Sequence, residues 1–233
     1  NRRLGGEAIE GAEITAKGKA VVIVGGGDTG SDCLGTALRQ GAKHVYQFEI
    51  LPKPPAARDP ATPWPMWPSM LRESSSHKEG GERRWCVASK EFSGDSGCVR
   101  KLCCVEVEWK PRAGGGAPVP QEKAGTQFVV DADLVLLAMG FVGPGKNRLV
   151  EELKLDMAPN GFVRRHEGNM TSIPGVFVAG DMTQGASLVV RAIADGREAA
   201  QGVMAYLSAR RKSKMDGSLS LPFPAADDKT VLP

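Results

Sequence analysis

Residues 20–30 read A-V-V-I-V-G-G-G-D-T-G, and residues 31–51 continue S-D-C-L-G-T-A-L-R-Q-G-A-K-H-V-Y-Q-F-E-I-L. Residues 20–24 are a largely β-branched run, as a strand buried on both faces of a parallel sheet requires. Residues 28–40 predict a helix: Cys33, Leu34, Ala37 and Leu38 form one apolar stripe, and Gly41 closes it as a C-terminal cap. Residues 44–51 predict a second strand. The unit is therefore β-α-β, with G-x-G-x-x-G between strand and helix. Each glycine has a physical reason. Gly25 permits the tight turn, Gly27 lets backbone approach a pyrophosphate, and Gly30 lets the helix pack on the sheet. Asp28 and Thr29 open the helix, whose unpaired N–H groups and dipole suit phosphate. Glu49 stands 24 positions after Gly25, close to where this fingerprint places an acid that accepts from a ribose 2′-hydroxyl. The plain alternatives are a glycine-rich turn used only for packing and a solvated strand-end glutamate.

The chain has 233 residues, with 30 Lys+Arg against 27 Asp+Glu for a net charge of +3. That balance is too mild for a nucleic-acid or membrane-surface protein. The composition, 41% hydrophobic and 24% charged, excludes disorder of the whole chain. The longest apolar runs, 20–24 and 134–139, fall far short of the roughly 20 residues of a membrane helix. Five cysteines contain no C-x-x-C, and there are three histidines, so no metal site is expected within the chain. Scattered cysteines fit a reducing compartment. The chain opens on Asn1 in polar sequence, which reads as a trimmed terminus or as a piece of something longer.

Beyond the first unit, residues 52–83 are rich in proline. Trp64 and Trp67 are expected to anchor this stretch, and residues 74–81 to form a mobile loop. Residues 84–92 predict a strand, residues 98–110 another with period-two alternation, and residues 112–119 a turn. Residues 127–131 and 134–139 complete an antiparallel addition and a return strand. A short helix is expected near 147–153, a hairpin turn at Asn160-Gly161, a buried strand at 176–179 and an Ala-rich helix over about 187–208. Cys103 and Cys104 are adjacent on a strand and point to opposite faces, so two ordinary strand cysteines are expected rather than a redox pair.

A second motif is V-F-V-A-G-D at 176–181, followed by G-A-S-L-V-V at 185–190 and D-G-R at 195–197. A strand ending in Gly180-Asp181, a loop and a helix start at Ser187, Leu188 and Val189 is a recurring way to hold a flavin. Asp181 accepts from the ribityl and pyrophosphate region, and the helix N-terminus favours negative charge on the reduced ring. Taken alone, Gly-Asp is also a common turn.

In combination these motifs resemble a known family. G-G-G-D-T-G-S-D-C-L-G-T-A-L-R-Q-G-A (25–42), Q-F-E-I-L-P-K-P-P (47–55), P-W-P-M-W-P (63–68), A-D-L-V-L-L-A-M-G-F-V-G-P (132–144) and S-L-V-V-x-A-I-x-x-G-R-x-A-A (187–200) look like the C-terminal half of the glutamate synthase small (β) subunit. The likeness covers residues 15–208 and adds Gly140 and Phe141 to the cofactor-binding set. It implies an α/β, Rossmann-like fold of the two-dinucleotide-binding-domain flavoprotein type. Residues 15–140 would be the NAD(P)H-binding domain with a small antiparallel insertion at 84–131. Residues 141–208 would be the C-terminal part of the FAD-binding domain, and 209–233 a flexible tail. The family's cysteine-rich iron–sulfur segment and first FAD fingerprint are not in this sequence. The resemblance thus implies a fragment of a longer polypeptide, or a form that no longer holds flavin tightly.

The activity implied is hydride transfer from NAD(P)H to FAD. Electrons then pass through iron–sulfur clusters to a large subunit that makes glutamate from glutamine and 2-oxoglutarate. No side chain need act as acid or base, because the reaction depends on placing two rings about 3–3.5 Å apart. NADH is expected over NADPH, since Glu49 would repel a 2′-phosphate. Lys53 and Arg58 are the counter-argument; the Arg-Arg pair that other members of the family carry near Gln47 and Phe48 is not in this sequence. The expected setting is the cytoplasm, or a plastid in a plant or alga. The alternatives are an electron-input module of another FAD and iron–sulfur oxidoreductase, or a non-catalytic nucleotide-binding fragment.

Overall fold

The computed structural model describes residues 5–6, 13–66, 68–112, 114–144 and 148–216, with side chains to residue 213. Contacts divide these residues after Met139 into two compact units.

The first unit contains β1 (Ala20–Val24), α1 (Asp28–Arg39), β2 (His44–Glu49), α2 (Ser75–Lys78), β3 (Glu82–Trp85), β4 (Val87–Asp95), β5 (Cys98–Lys110), β6 (Val119–Glu122), β7 (Phe128–Asp131) and β8 (Leu134–Leu137). Four strands form a parallel sheet in the order β3-β2-β1-β8, with Val21 opposite both Val45 and Leu134. A second, antiparallel sheet has the order β4-β5-β6, and β7 also pairs with β5.

The apolar run of β1 is explained by what covers it. Val21 and Ile23 pack with Leu34 and Ala37 of α1 and Val45 of β2. Val22 points the other way and packs with Phe48, Val87, Leu102 and Cys104, where the antiparallel sheet covers the parallel one. Successive residues of a strand alternate faces, so a central strand between two layers is apolar throughout. Val21, Val22 and Ile23 are fully buried, and each contributes about 1.5–3 kcal/mol of transfer free energy.

Four expectations need correction here. Residues 84–92 are not one strand. Cys86 has φ +56°, which breaks the extended run: β3 pairs parallel with β2, and β4 pairs antiparallel with β5. Residues 74–81 are not a loose loop, because α2 is closed by a capping box in which Ser74 and His77 bond each other's backbone N–H. Trp64 is 83% exposed and anchors nothing, and Trp67 lies outside the described residues. The proline-rich segment is held instead by its own backbone, with Leu71 N–H donating to Pro55 C=O at 2.7 Å and Asp59 N–H to Ser69 C=O at 2.9 Å. β6 lies partly in what reads as a turn. It pairs with the end of β5, and Pro120 within it marks a sheet edge.

The second unit holds α3 (Arg148–Glu152), a 3-10 turn (Glu167–Asn169), α4 (Asp181–Gln184) and α5 (Val189–Asp216) around Leu155, Val163 and Val178. The Asn160-Gly161 turn is present, flanked by the bridge Met157↔Val163. The expected strand at 176–179 is reduced to one bridge, Met170↔Phe177. α5 runs eight residues past the expected end at 208, because the basic run there continues the helix. Residues 217–233 of the expected tail lie outside the described residues.

Candidate functional site

Gly25 has φ +124°, and a Cβ on it would stand 2.1 Å from the Ala138 carbonyl oxygen of the strand end beside it. A Cβ on Gly30 would stand 2.2 Å from the Gly25 carbonyl and 2.6 Å from Gln47 Nε2. Both positions are closed to any side chain. Gly27, the N-cap of α1, differs: a Cβ there meets nothing within 4 Å. The turn is thus shut on its sheet side and open on its outer side. Ser31 N–H to Gly27 C=O, at 3.0 Å, is the first bond of the helix. The amides of Asp28, Thr29 and Gly30 have no partner within it, as at any helix start.

The open side faces a groove of about 780 Å³. Gly26, Gly27, Asp28 and Glu49 line it, with Lys53 and Trp85 among the residues opposite. Glu49 is half-buried at the end of β2. Its Oε2 accepts from Gly26 N–H at 2.7 Å and its Oε1 from Leu51 N–H at 3.0 Å. Gly26 was not singled out from sequence, although the tandem G-G-G contains it. A Cβ there would fall 2.6 Å from Glu49 Oε2, so the middle glycine admits the carboxylate. Thr29 does not line this groove; it borders a smaller apolar cleft with Cys33 and Leu136.

Three cations, Lys53, Arg72 and Arg83, line the groove, and Arg58 belongs to the neighbouring loop. Lys53 and Arg83 sit over the Trp85 ring, 5.0 and 4.9 Å from its centroid. Arg58 donates to the carbonyls of Thr62, at 3.0 Å, and Met66. Of the two cations weighed against Glu49 from sequence, Arg58 is therefore engaged in its own loop.

In the second unit Asp195 is the organising residue, and its role was not read from sequence. It is 6% exposed. It accepts from Gly180 N–H at 2.5 Å, Asn169 Nδ2 at 3.1 Å, Thr183 Oγ1 at 3.2 Å and the Arg165 guanidinium. Burial works to raise its pKa, but these four donors outweigh it and hold the carboxyl below its ordinary range. The D-G-R triplet was the available signal. Asp195 fixes the turn that presents Asp181. Asp181, Ser187, Leu188 and Val189 are exposed at the starts of α4 and α5. Gly140 has φ +79° and Phe141 is 77% exposed at the beginning of this unit.

All five cysteines are free. Cys104 is buried and its thiol is pushed up to about 11, first by burial and then by Cys103. It is therefore no nucleophile at neutral pH. Among the described residues no three His, Cys, Asp or Glu come together as a metal site, and no helix is long and apolar enough to cross a membrane.

Comparison with known proteins agrees with this architecture. The family described as pyridine nucleotide-disulphide oxidoreductase matches residues 7–196. The glutamate synthase (NADPH) small chain of Mycobacterium tuberculosis is 52% identical over 91% of this chain and 40% of its own length. The glutamate synthase (NADH) of Saccharomyces cerevisiae is 40% identical over 88% of this chain and 10% of its own. The chain thus spans well under half of these relatives. Among solved structures, thioredoxin reductase of T. acidophilum superposes with a TM-score of 0.55 at 21% identity, covering 83% of this chain and 54% of its own. FprA of Mycobacterium tuberculosis in complex with NADPH gives 0.59 at 16% identity, covering 90% and 56%. Both show the fold alone. With a parallel sheet, a glycine turn opening α1 and a family match over most of its length, the chain belongs to the pyridine nucleotide-disulphide oxidoreductase family.

Proposed function

We propose that this chain is the nicotinamide-dinucleotide-binding part of a glutamate synthase small-subunit type oxidoreductase. The observation that carries the reading is the open face of Gly27, at the N-terminus of α1, over a groove that also receives Glu49. Residues 15–140 bind the dinucleotide, with the pyrophosphate against Gly27 and Asp28 of the turn that Gly25 and Gly30 shape, Thr29 continuing the helix start behind it, and the adenosine ribose at Glu49. Residues 141–208 contribute to an FAD site, with Gly140 and Phe141 at its start and Gly180, Asp181, Ser187, Leu188 and Val189 toward the flavin. The exposed Asp181 carboxylate suits ribityl hydroxyls, and the start of the long helix α5 suits a reduced ring. When bound, the nicotinamide supplies a hydride and the flavin accepts it. The chain's own residues bind and orient.

Electrons then leave through iron–sulfur clusters of the complex to a large subunit or domain that forms glutamate from glutamine and 2-oxoglutarate, in the cytoplasm or a plastid. The 52% identity to a glutamate synthase small chain supports this assignment over other flavin-linked modules. All five cysteines are free, and burial raises the thiols of Cys33 and Cys104, which argues against either as a thiolate electron exit.

NADH is the preferred dinucleotide on the strength of Glu49. NADPH is the second reading, favoured by Lys53 and Arg83 in the same groove. Titrating the purified chain with NADH, NADPH and FAD tests the proposal. Dinucleotide binding lost on Gly27→Ala supports it, and binding of neither dinucleotide refutes it. Electron delivery is tested by adding the large subunit together with the remaining small-subunit segment and following glutamate formation.

A further inference from the structure

Gln47 sits in the middle of β2, 2% exposed, directly beneath the glycine turn. Its Nε2 donates to the Gly25 carbonyl at 3.0 Å. A carbonyl only accepts, so the amide nitrogen must face the turn and Oε1 must face away. Oε1 meets His77 Nε2 of α2 at 3.0 Å, which obliges His77 to donate from Nε2. His77 Nδ1 in turn takes Ser74 N–H at 3.1 Å, which requires Nδ1 to carry no proton. One backbone carbonyl therefore sets the direction of every bond back to α2 and selects the neutral Nε2–H tautomer.

A second arm reaches the far side of the same turn. Ser74 Oγ bonds Ser31 Oγ at 2.5 Å, in the first turn of α1. Helix α2 thus grips the phosphate-facing segment at both ends, at Gly25 through Gln47 and at Ser31 through Ser74.

We propose that Ser74 and His77 are positioning residues for the dinucleotide, holding residues 25–31 in their phosphate-accepting form, and that the grip requires neutral His77. The proposal rests on the dinucleotide reading above. Protonating Nδ1 would set it against Ser74 N–H and open the capping box. The charged groups that act on the imidazole are Arg83 of β3 and Glu73 of the loop before α2; Gln47 of β2 and Ser31 of α1 are neutral. Burial and then Arg83 lower the His77 pKa, with Glu73 opposing. The ring is therefore neutral at pH 7.5, and the grip fails as pH falls below that lowered value.

The test is NADH binding, followed by fluorescence at pH 7.5 and at a lower pH beneath the His77 value that NMR titration of the ring reads, with wild type, His77→Gln and His77→Glu. NADH is chosen because the phosphomonoester of NADPH itself titrates near pH 6. Gln presents one acceptor and one donor as His does, but does not titrate. Glu keeps the capping box yet faces Gln47 with a second acceptor. Wild type should weaken several-fold at the lower pH. His77→Gln should bind as wild type at pH 7.5 and change little with pH. His77→Glu should bind about tenfold more weakly at both, the worth of one buried hydrogen bond. Equal pH dependence of wild type and His77→Gln, or full affinity in His77→Glu, overturns the proposal. Nitrogen NMR of the His77 ring reads the tautomer without any nucleotide, and an Nδ1–H ring overturns it too. A wild-type chain with the Nε2–H tautomer and no NADH binding at pH 7.5 refutes instead the dinucleotide reading, and with it the ligand of this grip.

Discussion

Glu49 Oε2 accepts the Gly26 amide at 2.7 Å, tying the end of β2 to the glycine turn while leaving the carboxylate in the wall of the groove. In the proposed function, the residue placed at the ribose is thereby also tied to the turn placed against the pyrophosphate. Glu49→Gln keeps an acceptor for Gly26 and removes the charge. Its expected effect is to relax NADH preference by about tenfold, which corresponds to ~1.4 kcal/mol. Dissociation constants for NADH and NADPH in both proteins check this. A wild type that already prefers NADPH, or a ratio unmoved by the substitution, assigns the choice to Lys53 and Arg83.

The three fingerprint glycines should separate into two kinds. Gly27→Ala should melt as wild type does, because its Cβ meets nothing, while dinucleotide affinity falls. Gly25→Ala should lose about 2–5 kcal/mol, from left-handed strain and from overpacking against Ala138. Thermal melts with NADH titrations distinguish them, and equal stability of the two variants would contradict the described turn.

Removing Asp195 leaves Gly180 N–H and the Arg165 guanidinium without their acceptor. Asp195→Ala should cost about 2–3 kcal/mol, less than a fully buried pair would because Arg165 is 37% exposed. The sign with pH follows from the lowered pKa. The contribution is complete above the ordinary value of 3.8 and is lost as pH falls through the folded value. Acid titration of the melting temperature should show a drop below about pH 4 that Asp195→Asn diminishes.

Alkylation should sort the cysteines. Cys98 is exposed on β5 and should label first. Cys104, with a thiol at about 11, should resist until the chain unfolds. Mass spectrometry after brief iodoacetamide treatment at pH 8 reads the order, and early labelling of Cys104 would show that its core is open.

The β-α-β unit was legible in the primary sequence because its signals are local. β-branched residues at 20–24 make a strand, a 3.6-residue apolar stripe makes α1, and glycines stand where a Cβ would collide with backbone. The family was legible for the same reason, as contiguous motifs. What folding alone settled depends on residues distant in the chain. Nothing in R-W-C-V-A-S announces that Cys86 turns left-handed and divides one run between two sheets. That follows from Cys86 N–H donating to Leu51 and its carbonyl accepting from Val107. Period two along β5 sets Cys104 and Val105 on opposite faces without saying which face is covered. Both are buried, Cys104 in the core shared with the parallel sheet. In the sequence Asp195 stood only within a D-G-R triplet and His77 only as one of three histidines. Each acquired its role when hydrogen-bond partners 15 to 30 positions away were brought within 3 Å, a proximity that no local pattern encodes.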